Sequence, residues 1–178
     1  MEDFEYYHLS MGGLRSIHSM AHKSFKHGEG FRIGRFCIIE KDCEVGDNVE
    51  LMDYVKLMPG TKIGNNCKLD DYVNTSGYCI IGNNVRIKRG TMIGQAVEIE
   101  DNVWVGSGVT TTRLKNPLDK NCKEEWIYIK EGAMIGSKAL LLAGITIGKG
   151  AMIGAGSVIA KDCDINGTYV GNPARRIR

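Results

Sequence analysis

The chain lacks the sequence features of a membrane protein and of a polyanion-binding protein. No apolar run approaches the roughly 20 residues of a membrane-spanning helix, and no apolar stretch typical of a secretory signal opens the chain. The formal net charge is +2 over 178 residues, which favours neither a nucleic-acid-binding surface nor an acidic tail. We therefore expect one domain of ordinary size in the cytoplasm, with no membrane and no nucleic acid among its partners.

Cysteine and histidine patterns typical of metal sites are also missing. None of the six cysteines forms a C-x-x-C pair, so neither zinc binding nor redox use is indicated, and free thiols are typical of a reducing cytoplasm. All four histidines precede residue 28. His18 and His22 have a spacing that suits a metal on one helix face, but no third ligand accompanies them. We expect no metal site.

What the chain has in abundance is a six-residue repeat. An aliphatic residue recurs at every sixth position from Ile33 to Val105 and again from Ile129 to Ile165, with Thr75 as the sole exception. Glycine often follows it, and Asn, Asp or Gly come next, as tight turns require. The fifth position is small and holds five of the cysteines, where cysteine behaves as a small buried hydrophobe. So short a period, sustained over most of a chain, marks a solenoid of stacked strands.

This pattern resembles the hexapeptide-repeat acyltransferases over residues of about 31–111 and 129–170. The resemblance implies an all-β fold, a left-handed parallel β-helix with three short faces per coil, for residues 31–178. Residues 112–128 interrupt the repeat, which resumes in phase eighteen residues after Thr111. Because eighteen residues are three hexads, we interpret this excursion as a polar loop that stands in for one full coil, and we expect it to be functional.

Residues 1–30 lack the repeat and are predicted to form a separate cap segment. Leu14, Ile17, Ala21, Ser24 and Phe25 follow a helical spacing. The end of a solenoid exposes strand edges that need cover. We therefore predict a short helix over the N-terminal end of the solenoid.

The C-terminal part resembles the acetyl-coenzyme A end of the same family. The stretch 129–162 is the most regular of the chain, and a Gly-Asn-Pro-Ala-Arg ending follows at 171–175. In such relatives the pantetheine arm lies between two subunits along a wall of small residues, and basic side chains would meet the phosphates as charge-assisted donors. The resemblance implies these coenzyme-binding residues: Gly136, Ser137, Gly154, Ala155, Lys161, Arg175 and Arg176.

The absence of histidine from the repeats excludes a carbonic anhydrase and disfavours a transferase with a histidine base in the solenoid. A γ-class carbonic anhydrase shares the fold but needs three histidines in the body, and many transferases of the family use one there as a base. The closest resemblance is to enzymes that acetylate an amino group on a nucleotide-linked sugar, in which the amine attacks the thioester with little help from a protein base. The substrate contacts differ from those relatives, because Met52-Asp53-Tyr54, Asp70-Asp71-Tyr72 and Lys88-Arg89-Gly90 replace their usual corner residues.

With eighteen residues per coil, residues eighteen apart stack about 4.8 Å from each other. One column is then Asp53, Asp71, Arg89 and Ser107, and the next is Tyr54, Tyr72, Gly90 and Gly108. We expect both at the corner from which the 112–128 loop leaves. Two carboxylates so close should repel and raise the pKa of one of them, which would make it a base, whereas Arg89 would oppose this. A solvated ladder of charges is an equally good interpretation.

The sequence thus predicts a cytoplasmic homotrimer that moves an acetyl group from acetyl-coenzyme A to an amino sugar on a nucleotide carrier. Asp53 or Asp71 would hold or deprotonate the amine. The acceptor would contact Asp70, Tyr72, Lys88, Arg89 and Trp126. Three alternatives remain open: acetylation of a sugar hydroxyl, which normally needs a base, transfer of a formyl or longer acyl group, and a β-helix that serves only for assembly or binding.

Overall fold

The computed structural model describes residues 4–7, 10–11, 14–15, 18–114, 118, 121 and 125–178, and it is a three-faced parallel solenoid throughout the repeats. Within these ranges every regular element is a strand, and no helix is long and apolar enough to cross a membrane. The architecture confirms the predicted left-handed parallel β-helix.

The strands fall into three sheets, one for each face of the prism. Face 1 consists of Phe4–Tyr7, Ser19–His22, Ile38–Ile39, Lys56–Leu57, Asn74–Thr75, Met92–Ile93, Thr110–Thr111, Leu140–Leu141 and Val158–Ile159. Face 2 consists of Lys26–His27, Glu44–Val45, Lys62–Ile63, Ile80–Ile81, Val97–Ile99, Ile127–Ile129 and Thr146–Ile147. Face 3 consists of Arg32–Ile33, Glu50–Leu51, Lys68–Leu69, Arg86–Ile87, Trp104–Val105, Met134–Ile135, Met152–Ile153, Thr168–Gly171 and Ala174–Arg176. A separate two-stranded sheet pairs Ser10–Met11 with Leu14–Arg15.

The register repeats every eighteen residues through most of the chain, as Lys62 opposite Glu44 and Ile80 opposite Lys62 illustrate. Every residue at the repeated aliphatic position from Ile33 to Ile159 is buried, Thr75 included. The Thr75 hydroxyl is satisfied there, because its Oγ1 accepts the Met58 N–H at 3.0 Å and shares a hydrogen bond with Thr61 at 2.8 Å.

Ile165 is the one repeat position that the structure turns outward. Its side chain is 66% exposed. The register has slipped by two residues in the last coil, since Ile147 pairs with Cys163 and Met152 pairs with Thr168. The buried Cys163 therefore lies where the hexad pattern had predicted an aliphatic side chain.

The predicted N-terminal helix is wrong. Ser19–His22 is already a strand of face 1, paired in parallel with Ile38–Ile39, so the solenoid begins before residue 31. The hexad continues backwards through Ala21, and Phe25 and Phe31 take the usually small position and are buried in the first coil. Phe4–Tyr7 then pairs antiparallel with Ser19–His22. A strand, not a helix, thus covers the exposed edge of this face.

The interpretation of the excursion as a substitute for one coil is also wrong. Glu98 pairs directly with Tyr128 and Thr110 with Leu140, so the register step here is thirty residues where eighteen is the rule. The excursion therefore adds twelve residues to a coil whose faces remain in place. It leaves where face 1 turns towards face 2, and eight of the residues 112–128 lie outside the described ranges.

Candidate functional site

Most of the predicted site residues share the corner at which face 3 turns into face 1, which we call the 3/1 corner. It comprises residues 34–37, 52–55, 70–73, 88–91, 106–109, 136–139 and 154–157. Backbone hydrogen bonds run up it without a break, for example from Tyr72 N to Asp53 O, from Lys138 N to Ser107 O and from Gly156 N to Ser137 O. The structure brings these predicted residues together on it: Asp53, Asp70, Asp71, Tyr72, Lys88, Arg89, Gly136, Ser137, Gly154 and Ala155.

The excursion leaves from a different corner, so the prediction that the aspartate column runs up its exit corner is wrong. Thr112 stacks against the start of the turn at 142–145, where its Oγ1 accepts the Ala143 N–H at 2.9 Å. Trp126 belongs to that side of the molecule as well. Its ring is half-exposed and stacks on Tyr128 at 6.2 Å between centroids, away from the 3/1 corner.

Asp53 is engaged from both of its oxygens. Oδ1 accepts the Arg35 backbone N–H at 2.8 Å, while Oδ2 accepts Arg35 Nε at 3.0 Å and Nη2 at 2.7 Å. The hydrogen bond from the Arg35 side chain is the largest influence on the pKa of Asp53 and lowers it below its ordinary value. The rise in pKa expected from carboxylate repulsion is therefore wrong for Asp53.

Asp71 repeats this arrangement one coil further on, with fewer contacts. Its Oδ1 accepts the Asp53 backbone N–H at 3.2 Å, and its Oδ2 accepts a single contact from Arg89 Nη2 at 2.7 Å. Beside it, Lys88 forms an ion pair with Asp70. The two neighbouring carboxylates are thus flanked by an arginine at either end of the column, and Asp71 is the one nearer the middle of the corner.

The same acceptor role recurs at the corner between faces 2 and 3, where no catalytic residue was predicted. There Asp47 N donates to Asn65 Oδ1 and Asn65 N donates to Asn83 Oδ1, each at about eighteen residues of separation. Carboxylate and amide side chains are interchangeable in that column, since only the acceptor oxygen is needed. Part of what Asp53 and Asp71 do is therefore structural: each satisfies a backbone N–H of the preceding coil.

An aromatic column stands on the outermost position of the 3/1 corner. It contains the predicted column of Tyr54 and Tyr72, whereas its extension to Phe36 and His18 was not predicted. His18, Phe36, Tyr54 and Tyr72 stack with ring centroids 5.1, 5.0 and 4.8 Å apart, and the last two rings are inclined by only 3°. Phe36, Tyr54 and Tyr72 have positive φ angles of 58–61°, which turn the rings outwards. The signal was present in the sequence as aromatic residues spaced by eighteen.

The column ends at Tyr72, because the next two positions are glycines. Gly90 has φ 70° and Gly108 has φ 67°, so the backbone keeps its path while the side chains disappear. A Cβ built on Gly90 would meet nothing within 4 Å, and one on Gly108 would touch only the Lys138 side chain at 3.6 Å. An open notch therefore separates Tyr72 from Lys138.

The glycines that sequence reasoning assigned to a coenzyme have a packing reason of their own. A Cβ on Gly136 would lie 2.5 Å from the Ala155 backbone N, and one on Gly154 would lie 2.5 Å from Val170 Cγ1. Both glycines are needed for the next coil to stack. The outward wall here consists instead of Ser137, the exposed Ala155 and Gly156, whose Cβ position is open.

Exposed apolar side chains flank this small-residue part of the corner. On face 3, Trp104, Met134 and Met152 follow one another in register, and all three are exposed. On face 1, Met92 is exposed as well. The lower coils of face 3 differ, because charged side chains such as Arg32, Glu50 and Lys68 form ion pairs at the corresponding positions.

Lys161, Arg175 and Arg176 meet at the C-terminal end of the solenoid. With Ala160 and Tyr169 they line a cavity of about 500 Å³ between the last coil and the terminal strand. Arg176 Nη1 forms an ion pair with Asp164 at 2.9 Å, whereas Arg175 Nη1 donates to the Ala174 carbonyl oxygen and has no ion pair with any described residue. These three residues thus share one cavity, which does not lie on the 3/1 corner, and their contact with coenzyme phosphates stays a prediction.

Histidine and cysteine take no part in the 3/1 corner beyond its first coils. His18 lies at the bottom of the aromatic column, three ring positions below Tyr72. Desolvation raises the pKa of Cys37, Cys43 and Cys79 to about 11 and that of Cys163 to about 12, so these thiols stay protonated. Among the described residues no three His, Cys, Asp or Glu side chains come together to hold a metal ion.

Family models match nearly the whole solenoid. Residues 16–127 match the GMPPB C-terminal domain, and residues 127–161 match the bacterial transferase hexapeptide (six repeats). A serine acetyltransferase of Bacillus pumilus is 43% identical over 86 residues, which cover 48% of this chain and 38% of that protein. The chain thus spans less than half the length of this curated relative.

Two solved structures share the fold over most of their length. The polySia-specific acetyltransferase NeuO superposes with a TM-score of 0.71 at 19% identity, covering 88% of this chain and 87% of that one. A mutant of AntD, an N-acyltransferase from Bacillus cereus, in complex with dTDP and coenzyme A, superposes with a TM-score of 0.62 at 25% identity, covering 83% and 82%. The first of these likenesses concerns the fold alone.

Proposed function

The chain belongs to the hexapeptide-repeat acyltransferases, and to the GMPPB C-terminal domain family over residues 16–127, and from that premise we propose that it transfers an acetyl group from acetyl-coenzyme A to an amino sugar carried on a nucleotide. The observation that carries this proposal is the 3/1 corner. One continuous ladder joins a wall of small residues near the C-terminus to a cluster of charged and aromatic side chains in the middle of the chain. The AntD likeness supports the same pair of ligands, because that structure contains coenzyme A and dTDP.

The coenzyme would lie along the upper part of the corner. From Gly108 to Gly156 the corner rises through two coil steps, about 10 Å at the usual spacing of parallel strands. Over this length the outermost position carries no side chain except that of Lys138, so a thin pantetheine arm can approach the backbone. Lys161 and Arg175 at the terminal cavity would then meet the phosphates as charge-assisted donors.

The acceptor would lie beside Asp71, where the small-residue wall ends. A free amine is already a nucleophile, so the protein's main task is to hold it against the thioester carbonyl carbon while the thiolate leaves. We assign that task to Asp71, because its carboxylate is partly exposed and accepts only one bond from Arg89. Asp53, with its pKa lowered by Arg35, is assigned a positioning role in the same column.

The functional unit would be a homotrimer. The exposed apolar row of Trp104, Met134 and Met152 is unusual for a face that is charged in its lower coils. Burial of that row against a second copy would also close the small-residue part of the corner from one side, so that each coenzyme site lies between two subunits. A cyclic arrangement of three identical interfaces satisfies every copy.

The proposal is tested by measuring the release of coenzyme A from acetyl-coenzyme A through the appearance of its free thiol. Purified protein is incubated with acetyl-coenzyme A and a panel of amino-sugar nucleotides, with the matching hydroxy-sugar nucleotides as controls. We expect thiol release with an amino acceptor and none with its hydroxy counterpart, since a hydroxyl needs a stronger base than this corner offers. Release with the hydroxy-sugar alone would contradict N-acetylation, and no release with any acceptor would contradict the transferase proposal.

A further inference from the structure

The aromatic column of the 3/1 corner has a vacant position directly above Tyr72. Its four rings are spaced regularly at 4.8–5.1 Å, and one face of each ring is covered by the next ring up to Tyr72. The Tyr72 side chain is 53% exposed, and its only aromatic neighbour among the described residues is Tyr54. One face of the terminal ring is therefore open to a ligand.

Gly90 keeps this position empty without changing the backbone. Its φ of 70° resembles the 60° of Tyr72 and the 61° of Tyr54, so a side chain at residue 90 would point the same way as theirs. Space for a ring exists there, because a Cβ on Gly90 would have no atom within 4 Å. The notch extends past Gly108 to the Lys138 side chain, and thus spans about two coil steps.

We propose that Tyr72 is the stacking platform of a nucleobase, which takes the vacant position beside Gly90 and continues the aromatic column. Any nucleobase can stack on an aromatic side chain, because every base has a flat π-face. Cations lie beside the notch on two levels. Lys88 and the exposed Arg89, ion-paired with Asp70 and Asp71, belong to the coil of Gly90, and Lys138, which has no ion-pair partner among the described residues, lies two coils above it. A base with a diphosphate attached matches this combination of an aromatic floor and a basic rim.

The inference rests on the proposed function for the identity of the ligand, since it names the nucleotide part of the acceptor as what Tyr72 binds. Coenzyme A also contains a base, adenine, so the chemistry alone has two sources. Binding of dTDP, UDP and coenzyme A is therefore measured separately by titration calorimetry, with no turnover required. The variants are Tyr72→Leu, Tyr72→Phe and Gly90→Phe.

Gly132→Phe is the matched control. Gly132 has φ 69° and an equally open Cβ position, but it lies at the corner between faces 2 and 3. It therefore carries the same backbone strain as Gly90→Phe without a ring at the notch. Phe36 already shows that this corner geometry accepts a phenylalanine in the same conformation, at φ 58°.

We expect Tyr72→Leu to weaken dTDP or UDP binding about tenfold or more, which is the usual weight of one base–aromatic stack. Tyr72→Phe should bind as the wild type does, since the flat ring is retained. Gly90→Phe should abolish nucleotide binding by filling the position itself. Gly132→Phe should leave nucleotide binding unchanged, and none of the variants should change the affinity for coenzyme A.

Three results would overturn the inference: wild-type protein that binds neither dTDP nor UDP at millimolar concentration, normal binding of these nucleotides by Tyr72→Leu or Gly90→Phe, or loss of coenzyme A affinity in place of nucleotide affinity. The last would assign the stacked ring to the coenzyme's adenine. Nucleotide binding that depends on Tyr72, in a protein that releases no thiol from acetyl-coenzyme A, would support the stacking site and contradict the proposed function. The two ideas therefore fail separately.

Discussion

Asp53→Asn and Asp71→Asn separate the structural role of the aspartate column from a catalytic one. Asparagine keeps the oxygen that accepts the backbone N–H of the preceding coil, as Asn65 and Asn83 do at the corner between faces 2 and 3. What it loses is the negative charge facing an arginine. An exposed ion pair of this kind contributes about 0–1 kcal/mol to stability.

The stability of both variants should therefore stay within about 1 kcal/mol of the wild type, a shift in melting temperature of roughly 2–4 °C for a chain of this size. Their activities should differ. Asp71→Asn should lower the rate of thiol release by about a hundredfold or more, the usual weight of a group that holds or moves a proton at the reacting atom. Asp53→Asn should stay within about threefold, because the carboxylate that Arg35 engages is not the one assigned to the amine.

The assay is steady-state thiol release with acetyl-coenzyme A and the amino acceptor, read beside thermal unfolding of each variant. Equal activity losses in both variants, in step with lost stability, would mean that the column is only structural. Full activity in Asp71→Asn and in the double variant would refute the role of Asp71 outright.

Four further outcomes follow from the contacts already described. Because Arg35 lowers the pKa of Asp53, the ionised carboxylate stabilises the folded state at pH values above the ordinary carboxyl pKa. This contribution is lost as the pH falls through the lowered pKa. In urea denaturation, Asp53→Asn should therefore show a smaller loss of stability than the wild type below about pH 4. Thr75→Val should cost about 1–3 kcal/mol in urea denaturation, since the Met58 N–H would lose its buried acceptor; a smaller loss would mean that the amide finds another partner. Arg175→Ala should weaken coenzyme A binding and leave the melting temperature nearly unchanged. Arg176→Ala should also lower the melting temperature, because it removes the ion pair with Asp164 at the C-terminal end of the solenoid. Equal changes in melting temperature in the two variants would contradict this difference. The five buried cysteines should not react with a thiol reagent at pH 8 until the protein is unfolded, and fast labelling of more than one thiol per native chain would contradict their burial.

The sequence was sufficient to predict the solenoid because each coil repeats the same physical requirement. One inward aliphatic side chain and one tight corner per hexad leave little freedom, and all the predicted aliphatic positions from Ile33 to Ile159 are buried. The pattern could not reveal that the coil register slips at Cys163, since a two-residue deletion near the end looks like a continued repeat in the sequence. It also concealed the first coil, where Phe25 and Phe31 stand at positions that are small elsewhere.

The arrangement of the candidate site residues in columns was predictable from the sequence, and their contacts were less so. Spacing by eighteen put Asp53, Asp71 and Arg89 in one column, as the structure has them. Arg35 lies one coil below the column of Asp53, Asp71 and Arg89 from which the pKa was predicted. Its pairing with Asp53 lowers the pKa of that carboxyl, where a rise had been expected. The corner from which the excursion leaves depends on how many residues the insertion adds to a coil, which the phase of a six-residue repeat does not specify.

Titration calorimetry with coenzyme A, on the wild type and on Ala155→Trp, tests the central claim most directly. Ala155 is exposed on the 3/1 corner, so a large ring there fills the proposed path of the pantetheine arm while leaving the core untouched. We expect micromolar binding at one site per chain that is lost in Ala155→Trp and kept in Gly132→Phe. Absence of binding at millimolar coenzyme A, or unchanged binding in Ala155→Trp, would contradict it.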